Sequence, residues 1–320
     1  MLKTALIGAG SISGVHLKFL QSRSDVEIVG ICNTSKEKAI KRVQEFGGKA
    51  YTDFEYMLDE AKPHAVWVCT PPNVRCAPLL ACANRKIPVF CEKPAECSLE
   101  SAVAINKVLT KKKAHVQVGY LFRSAPVVQT LREQMADDTI HLVQSLYSCN
   151  KSLQADRSSP VYNKKVTGGL LVEQATHNFD LLRYLFGEVI QVTGVASNPV
   201  HKKKGTYTIE EVISLSLKFA NGTLASHCHS WVGDMYRDEI VIIGQKRVYR
   251  LNLFGPTLVV DVEGKETQFP ISPDSAYVRE NEIFLDMVKS DDWKKNPSDY
   301  ADAIKTLRLS LEADQAISSR

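Results

Sequence analysis

A glycine-rich turn near the start of the chain restricts the possible folds more than any other feature. The apolar residues 4–7 lead into GAGSISG at residues 8–14, and a helical pattern over 15–21 precedes a second apolar run, VEIVGIC. The order strand, glycine turn, helix, strand predicts a βαβ unit within a parallel sheet. In such a unit the first two glycines allow a tight turn and let backbone N–H groups approach a pyrophosphate at the helix N-terminus. The motif therefore predicts a dinucleotide site, with contacts from Gly8, Gly10, Ser11 and Ile12.

The residues that follow the second strand bear on which dinucleotide binds. A carboxylate usually holds the adenosine ribose hydroxyls at this place, but the chain reads Asn33, Thr34, Ser35 and Lys36 and has no acid there. Small polar side chains beside Lys36 and Lys38 suit a 2′-phosphate, which favours NADP over NAD. Alternatively, these residues cap the next helix and NAD is also accepted.

Two further apolar runs end in residues suited to a ligand site. HAVWVCT leads into a rigid proline-containing loop, and IPVFC stops at Glu-Lys-Pro, residues 92–94. The carboxyl ends of parallel strands meet at one sheet edge, where ligands of α/β folds bind. A cis peptide before Pro94 would suit the turn. We therefore expect cofactor contacts from Thr70, Pro71, Pro72, Asn73, Glu92 and Lys93.

Composition places the chain among ordinary globular proteins and argues against several kinds of partner. The 320 residues suffice for two domains, and 44% are hydrophobic and 24% charged. The 40 basic and 36 acidic residues are dispersed, so the lysine runs at 111–113 and 202–204 fit solvated surface better than a nucleic-acid site. No apolar stretch has the ~18 residues of a membrane span, and the eight cysteines show no C-x-x-C spacing. We expect a cytoplasmic protein with reduced thiols that binds neither nucleic acid nor membrane.

A stripe of ionisable side chains marks the second half of the chain. In VEQATHNFDLLRYLFG, helical spacing places Glu173, His177 and Asp180 on one face of a helix predicted over 167–185. A solvated helix face with local hydrogen bonds is one explanation of such a stripe. Proton chemistry on a bound substrate is the other, because an imidazole titrates in the range that such chemistry needs.

Long alternating runs beyond residue 140 predict a mostly antiparallel sheet. Asn221 and Gly222 between two of these runs predict a two-residue hairpin turn. Helices over 167–185 and 276–289 can cover only part of the sheet, so the uncovered face suggests a subunit interface. A closing helix is predicted after an Asn296 cap. The predicted strand runs are IHLVQSLYS, VIQVTGVAS, EVISLSLKFANGTLASHCHSW, DEIVIIGQKRVYRLNLF and TLVVDVEG.

His227 and His229 lie on one face of a predicted strand, at a spacing that could ligate a metal. No third ligand follows at a recognisable spacing, whereas catalytic zinc requires three protein ligands and structural zinc requires four. We therefore predict no metal site, and we expect these histidines to face a substrate cleft or a subunit contact.

Together the motifs GAGSIS, CTPPN, CEKP, GYLFRSAP and GGLLVEQATHNFDLLRYLFG resemble the glucose-fructose oxidoreductase, inositol dehydrogenase and MocA family (Gfo/Idh/MocA). The resemblance implies an α/β chain, with an N-terminal Rossmann doubly wound parallel sheet over 1–122. A second α/β domain over 123–320, with a large, mostly antiparallel open sheet, would bind substrate and form a homodimer or homotetramer. The C-terminal helix would lie near the domain junction. Members generally oxidise or reduce a carbinol or carbonyl of a sugar, cyclitol or polyol with NAD(P).

The resemblance also implies roles for individual residues. Lys93 matches the lysine of the family's Glu-Lys-Pro motif and His177 its catalytic histidine, while Glu173 stands where many members have Asp. Asp180 would support the helix or the histidine. Two departures are Arg75, where a histidine is common, and His141, where a glycine is common. Residues near the family's substrate cleft, and weaker substrate candidates, are Arg123, Tyr162, Asn163, Trp231 and Tyr236.

These observations predict an NAD(P)-dependent oxidoreductase in which His177 exchanges the substrate's proton and Lys93 hydrogen-bonds the reacting oxygen. Glu173 would either bind a neighbouring substrate hydroxyl or tune the pKa values of the lysine and the histidine. Two alternatives remain open. One is a dinucleotide-binding sensor or scaffold without turnover. The other is a reductase of a non-sugar ketone, imine or dihydrodiol on the same fold.

Overall fold

The computed structural model describes residues 1–154 and 159–318. Its backbone contacts divide the chain into two units, one formed by residues 1–121 and 276–305 and the other by residues 122–275 and 306–320. Among the described residues, no helix is both long enough and apolar enough to cross a membrane.

Strands and helices alternate in the first 121 residues, and strands dominate after residue 188. The strands are β1 (Leu2–Ile7), β2 (Val26–Cys32), β3 (Lys49–Tyr51), β4 (Ala65–Val68), β5 (Val89–Cys91), β6 (Val116–Val118), β7 (Ile140–Ser148), β8 (Val189–Ser197), β9 (Val212–Phe219), β10 (Leu224–Ser230), β11 (Arg237–Gly244), β12 (Val248–Asn252), β13 (Thr257–Val262) and β14 (Lys265–Phe269). The helices are α1 (Ser13–Gln21), α2 (Lys36–Phe46), α3 (Phe54–Ala61), α4 (Cys76–Asn84), α5 (Leu99–Lys112), α6 (Pro126–Met135), α7 (Lys151–Gln154), α8 (Lys164–Thr167), α9 (Gly169–Glu173), α10 (Thr176–Phe186), α11 (Ala276–Ser290) and α12 (Tyr300–Ser318).

The first unit contains a six-stranded sheet in the order β3-β2-β1-β4-β5-β6, in which every neighbouring pair is parallel. The central strand β4 is buried at all four positions, as expected for a parallel sheet covered on both faces. The predicted doubly wound Rossmann sheet is confirmed. Its carboxyl edge carries the glycine turn, the Thr-Pro-Pro loop and the Glu-Lys-Pro segment.

Helix α11 belongs to this first unit. Phe284 on α11 lies 5.0 Å from the Trp67 ring and 5.7 Å from the Phe90 ring, and both of these aromatic side chains come from strands of the parallel sheet. Our expectation that this helix covers the antiparallel sheet was therefore wrong. The amphipathic pattern indicated a buried helix face but carried no information on which sheet it contacts.

The second unit contains an eight-stranded sheet in the order β14-β13-β12-β11-β7-β10-β9-β8. All neighbouring pairs are antiparallel except β7 and β10, which confirms a mostly antiparallel sheet. Strand β14 lies outside the predicted runs, because its residues are mostly exposed and polar. Alternation buries one face under α10, where Phe179 contacts His227 and Phe186 contacts Phe219. On the other face Leu224 is 50% exposed.

Three local predictions in the second half of the chain were wrong. The helix predicted over 167–185 is interrupted twice: Gly168, with a positive φ of 79°, separates α8 from α9, and Gln174 and Ala175 separate α9 from α10. At the hairpin after β9, Gly222 alone has a positive φ and its N–H donates to Phe219, so the turn is longer than two residues. The last helix is capped by Asp299, whose Oδ1 accepts the Asp302 N–H at 2.7 Å, and not by Asn296.

Candidate active site

The glycine turn has the geometry that a close backbone approach requires. Gly8 has φ of +103°, and a Cβ placed there would lie 2.7 Å from the backbone of Cys69 and Thr70, so only glycine fits. A Cβ at Gly10 would meet nothing within 4 Å, so this position opens toward free space. Helix α1 starts at Ser13 and presents its N-terminal N–H groups at the same turn. These features suit a pyrophosphate.

The segment after β2 contacts the glycine turn through one side chain. Asn33 Oδ1 accepts the Ala9 N–H at 3.0 Å and so fixes the turn. Ser35 caps α2 by accepting the Lys38 N–H at 3.3 Å, which is the capping role considered as an alternative, while Thr34 and Lys36 are exposed. Sequence reasoning missed Arg42, whose Nη2 donates to the Gly10 carbonyl at 2.9 Å. The only available signal was a basic residue on α2.

Arg75 ties together the two loops at the carboxyl edge. Its side chain is buried, and the guanidinium donates to the backbone carbonyls of Thr70, Glu92 and Pro94. Arg75, which stands where a histidine is common, therefore holds the two loops together from within the fold. Because its guanidinium is bound to backbone carbonyls, we assign it no contact with the cofactor. The Lys93–Pro94 peptide is cis, as the turn suggested. Pro71 and Asn73 are exposed at the same edge.

Glu92 faces inward, although we expected it to contact the cofactor. Its side chain is buried, with Oε1 lying 2.9 Å from His16 Nε2 and Oε2 accepting the Lys93 N–H at 3.0 Å. Lys93 itself is half-buried. At the end of β5 the Glu92 carboxylate therefore anchors the turn, while the neighbouring Lys93 side chain is partly accessible.

The second unit pairs Glu173 with a lysine that sequence reasoning missed. His177 lies in the first turn of α10, while Glu173 is the last residue of α9, so the two do not share one continuous helix. Lys151 Nζ lies 2.8 Å from Glu173 Oε2 and 4.3 Å from the centre of the Trp231 ring. A lone lysine after a strand carries no sequence signal for this pairing.

Buried aromatic and imidazole rings lie behind His177. The His177 ring lies 5.7 Å from Phe122, and His229 stacks on Tyr147 at 4.3 Å. Burial lowers the pKa of His229 well below its ordinary value, and the charges of His227, Lys151 and His177 lower it further. Burial also lowers the pKa of His227 to about 3, so both strand histidines are neutral. Among residues 1–154 and 159–318, no cluster of three or more His, Cys, Asp or Glu side chains could hold a metal.

Asp180 and Arg123 form a buried ion pair. Arg123 Nη2 lies 2.6 Å from Asp180 Oδ1 and Nε lies 2.7 Å from Oδ2, and Thr306 donates to the same carboxylate at 2.8 Å. The Arg123 guanidinium is thus engaged within the fold, which corrects its assignment as a substrate candidate. Asp180 holds α10 in place through this pair.

Two other substrate candidates also have structural roles. Asn163 caps α8 by accepting the Lys165 N–H at 3.0 Å. Tyr236 is 55% exposed and its ring lies 5.7 Å from Phe254. Neither geometry gives a reason to place these side chains on a substrate.

The neighbour of His177 on α10 holds a buried carboxyl. Asn178 donates to Asp238 Oδ1 at 2.8 Å, and burial raises the pKa of Asp238 to about 8. In the unfolded chain this carboxyl loses its proton near pH 4, so unfolding between pH 4 and pH 8 releases a proton. The free energy of unfolding therefore falls as the pH rises through this interval.

We expect Asp238→Asn to remove this pH dependence. The variant should gain stability over the native chain between pH 4 and pH 8, by on the order of 5 kcal/mol at pH 8. Scanning calorimetry at several pH values measures the melting temperatures. Asp234→Asn, at an exposed aspartate nearby, is the matched control and should show no such trend. A constant difference between Asp238→Asn and the native chain would contradict the buried, protonated carboxyl.

Family models match both parts of the chain. Residues 2–120 match an oxidoreductase family with an NAD-binding Rossmann fold, and residues 128–250 match the GFO/IDH/MocA C-terminal domain. Fold and glycine turn thus define an NAD-binding oxidoreductase of the dehydrogenase class. The chain belongs to the Gfo/Idh/MocA family, as its motifs indicated.

Curated relatives and solved structures agree with this assignment. The chain is 28% identical to inositol 2-dehydrogenase of Rhizobium meliloti over 70% of this chain and 67% of that protein. It is 25% identical to myo-inositol 2-dehydrogenase of Thermotoga maritima over 90% of this chain and 89% of that protein. UDP-N-acetylglucosamine 3-dehydrogenase from Acidithiobacillus ferrooxidans shares the fold, with a TM-score of 0.86 and 19% identity over 99% of this chain and 98% of that chain.

Proposed function

We propose that this chain transfers a hydride between a nicotinamide and the carbinol or carbonyl carbon of a sugar, cyclitol or related polyol. The observation that carries the proposal is that each of the two units contains part of the set of groups that hydride transfer requires. The first unit holds a glycine turn with a partly accessible Lys93, and the second unit holds His177 in the first turn of a helix, with Glu173 at the end of the preceding helix. Relatives named as inositol dehydrogenases support the substrate class.

Each proposed role follows from the chemistry of its side chain. The nicotinamide supplies the redox step when it is bound. Oxidation of a carbinol removes the hydroxyl proton as the C–H bond breaks, and His177 takes this proton, or returns it in the reverse direction. Lys93 donates a hydrogen bond to the reacting oxygen and stabilises its alkoxide-like form. Glu173, with one oxygen held by Lys151, accepts a hydrogen bond from a neighbouring substrate hydroxyl.

A substrate panel tests this function. We expect polyols and cyclitols to be oxidised, and the matching ketoses to be reduced, when the nicotinamide absorbance is followed with each cofactor. Turnover restricted to non-sugar ketones, imines or dihydrodiols would show that the substrate belongs to one of those classes and is not a sugar, cyclitol or polyol. Tight cofactor binding without turnover on any substrate would favour a sensor or scaffold.

The cofactor preference is a separate prediction. Because no acid stands at the end of β2 and Lys36 and Lys38 are exposed there, we expect NADPH to bind about tenfold more tightly than NADH, equivalent to about 1.4 kcal/mol. Fluorescence titration measures both dissociation constants. Lys36→Ala should reduce the preference, whereas Lys41→Ala, at an exposed lysine of the same helix, should leave it unchanged. Equal or tighter binding of NADH would show that these residues only cap α2.

We further propose a cytoplasmic homodimer or homotetramer that assembles through the exposed face of the eight-stranded sheet. On that face Leu142, Leu146 and Leu224 are 37%, 36% and 50% exposed, an unusual set of apolar side chains for a solvated sheet. All eight cysteines are free thiols, which fits a reducing compartment. A monomer in sedimentation velocity at micromolar concentration would contradict the assembly.

A further inference from the structure

A chain of buried hydrogen bonds in the first unit ends at the backbone of Lys93. Trp67 Nε1 lies 2.7 Å from Asn281 Oδ1, and the same oxygen lies 3.1 Å from His16 Nδ1. On its other side the imidazole Nε2 lies 2.9 Å from Glu92 Oε1, and Glu92 Oε2 accepts the Lys93 N–H at 3.0 Å. His16, Trp67 and Asn281 are fully buried.

The direction of each hydrogen bond follows from the indole. An indole N–H can only donate, so the Asn281 atom facing Trp67 must be its oxygen. The amide nitrogen of Asn281 donates to the Tyr277 carbonyl at 2.6 Å, which fixes the same orientation. His16 Nδ1 therefore faces an acceptor and must carry a hydrogen.

One further proton is then required between His16 and Glu92. With Nδ1 protonated, neutral His16 presents a lone pair at Nε2, and an ionised Glu92 presents another at 2.9 Å. Two acceptors at this distance repel each other, so a proton lies between them. The pair is either imidazolium with carboxylate or imidazole with carboxylic acid. Both forms have zero net charge.

The groups around the pair do not supply this proton. Glu280 on α11 is 1% exposed, and neither of its carboxyl oxygens has a hydrogen-bond partner among the described residues. Burial, together with the charge of Glu92, raises the pKa of Glu280 well above its ordinary value, so it keeps its own proton. The other titratable or charged groups facing Glu92 are Tyr277, Cys69, Cys91, Arg75 and Lys93.

The surrounding charges favour the carboxylate form of Glu92. Burial raises the pKa of the Glu92 carboxyl, but the hydrogen bond from His16 and the charges of His16, Lys93 and Arg75 outweigh it, and the net direction is downward. Because both side chains are buried, loss of the shared proton would give the pair a net negative charge beside the Glu-Lys-Pro turn.

We propose that His16 is a positioning residue for Lys93. It keeps a proton on the His16–Glu92 pair, so that the pair itself adds no net charge next to the lysine, and it holds Glu92 in place on the Lys93 N–H. The proposal rests on the role proposed above for Lys93 in the reaction. No sequence pattern links His16 to Asn281, which lies 265 residues further along the chain.

The pH dependence of turnover tests the charge. In His16→Gln the new amide donates to Glu92 but brings no transferable proton, so Glu92 carries a full negative charge beside Lys93. That charge favours the ammonium form, and we expect the alkaline limb of kcat/KM to move up by about one pH unit. In Glu92→Gln the pair is neutral without a shared proton, so the alkaline limb should keep its native position even if kcat falls. Equal shifts in both variants, or none in His16→Gln, would overturn the proposal.

Nitrogen NMR of the histidines tests the proton directly and needs no turnover. In the full-length native chain we expect the His16 resonances, assigned by their absence in His16→Gln, to show one hydrogen on Nδ1 and a second hydrogen shared between Nε2 and Glu92. A neutral ring protonated only at Nε2 would overturn the proposal, even if His16→Gln fails to fold. If the spectrum shows the expected protonation but no substrate is turned over, then the proposed function is wrong and the protonation assigned to His16 is still supported.

Discussion

Replacing His177 with asparagine is expected to lower kcat for polyol oxidation by roughly 10²- to 10⁴-fold, the range lost when a positioned proton-transfer group is removed. Asparagine keeps a polar side chain of similar size but cannot take up the hydroxyl proton. The dissociation constant of the cofactor should change by no more than about twofold, because His177 is proposed to act on the substrate and not on the cofactor. Steady-state kinetics and fluorescence titration measure the two quantities.

A matched histidine provides the control. His141 is exposed at the start of β7, and His141→Asn should retain native kcat and KM. If His177→Asn keeps more than about a tenth of native kcat across the pH range, then another group moves the proton, and His177 has only a packing role beside Phe122. The same measurement on Lys93→Met separates the two proposed roles, because loss of a hydrogen bond to the reacting oxygen should lower kcat at every pH.

The two sheets could be predicted from the sequence because each rests on a short-range pattern. Period-two alternation gave the residues of β7 and β8, and the apolar run before GAGSISG gave β1 and its turn. The two interruptions of the helix before Asp180 could not be read from periodicity, because one lies at Gln174 and Ala175 without a glycine or proline, and the other depends on left-handed backbone at Gly168. Glycine permits that conformation but does not require it.

The partners of the site residues were beyond sequence reasoning for a different reason. Lys151 meets Glu173 across 22 residues, and Arg123 meets Asp180 across 57. Each of these residues is of a charged type that is usually exposed. Only the folded chain determines whether its charge faces water or a buried partner. Motif resemblance therefore located Lys93 and His177, while the groups that orient the Glu-Lys-Pro turn and α10 emerged from the geometry.

The Arg123–Asp180 pair should have the largest effect on stability. Arg123 and Asp180 are 6% and 1% exposed, so Arg123→Met removes both guanidinium hydrogen bonds from a buried carboxylate and leaves it with Thr306 and with Arg183 at 4.0 Å, which costs about 3–5 kcal/mol. For a unit of this size that loss corresponds to a drop in melting temperature of about 6 °C or more. Burial raises the pKa of Asp180 even beside Arg123, so in the variant the carboxyl takes up a proton at low pH and the loss should grow as the pH rises.

Scanning calorimetry of three variants distinguishes the buried charge from lost packing. Arg132→Met removes an exposed guanidinium 4.5 Å from the ring of Tyr184, which also lies 5.2 Å from Arg123, and it should cost less than about 1 kcal/mol. The double variant Arg123→Met with Asp180→Leu removes the buried carboxylate together with its partner and leaves Arg183 paired with Glu188 at 2.8 Å, so it should recover part of the stability lost in Arg123→Met. If the double variant is less stable than Arg123→Met, then the hydrogen bond from Thr306 and the shape of the pair, and not its charge, hold α10 in place.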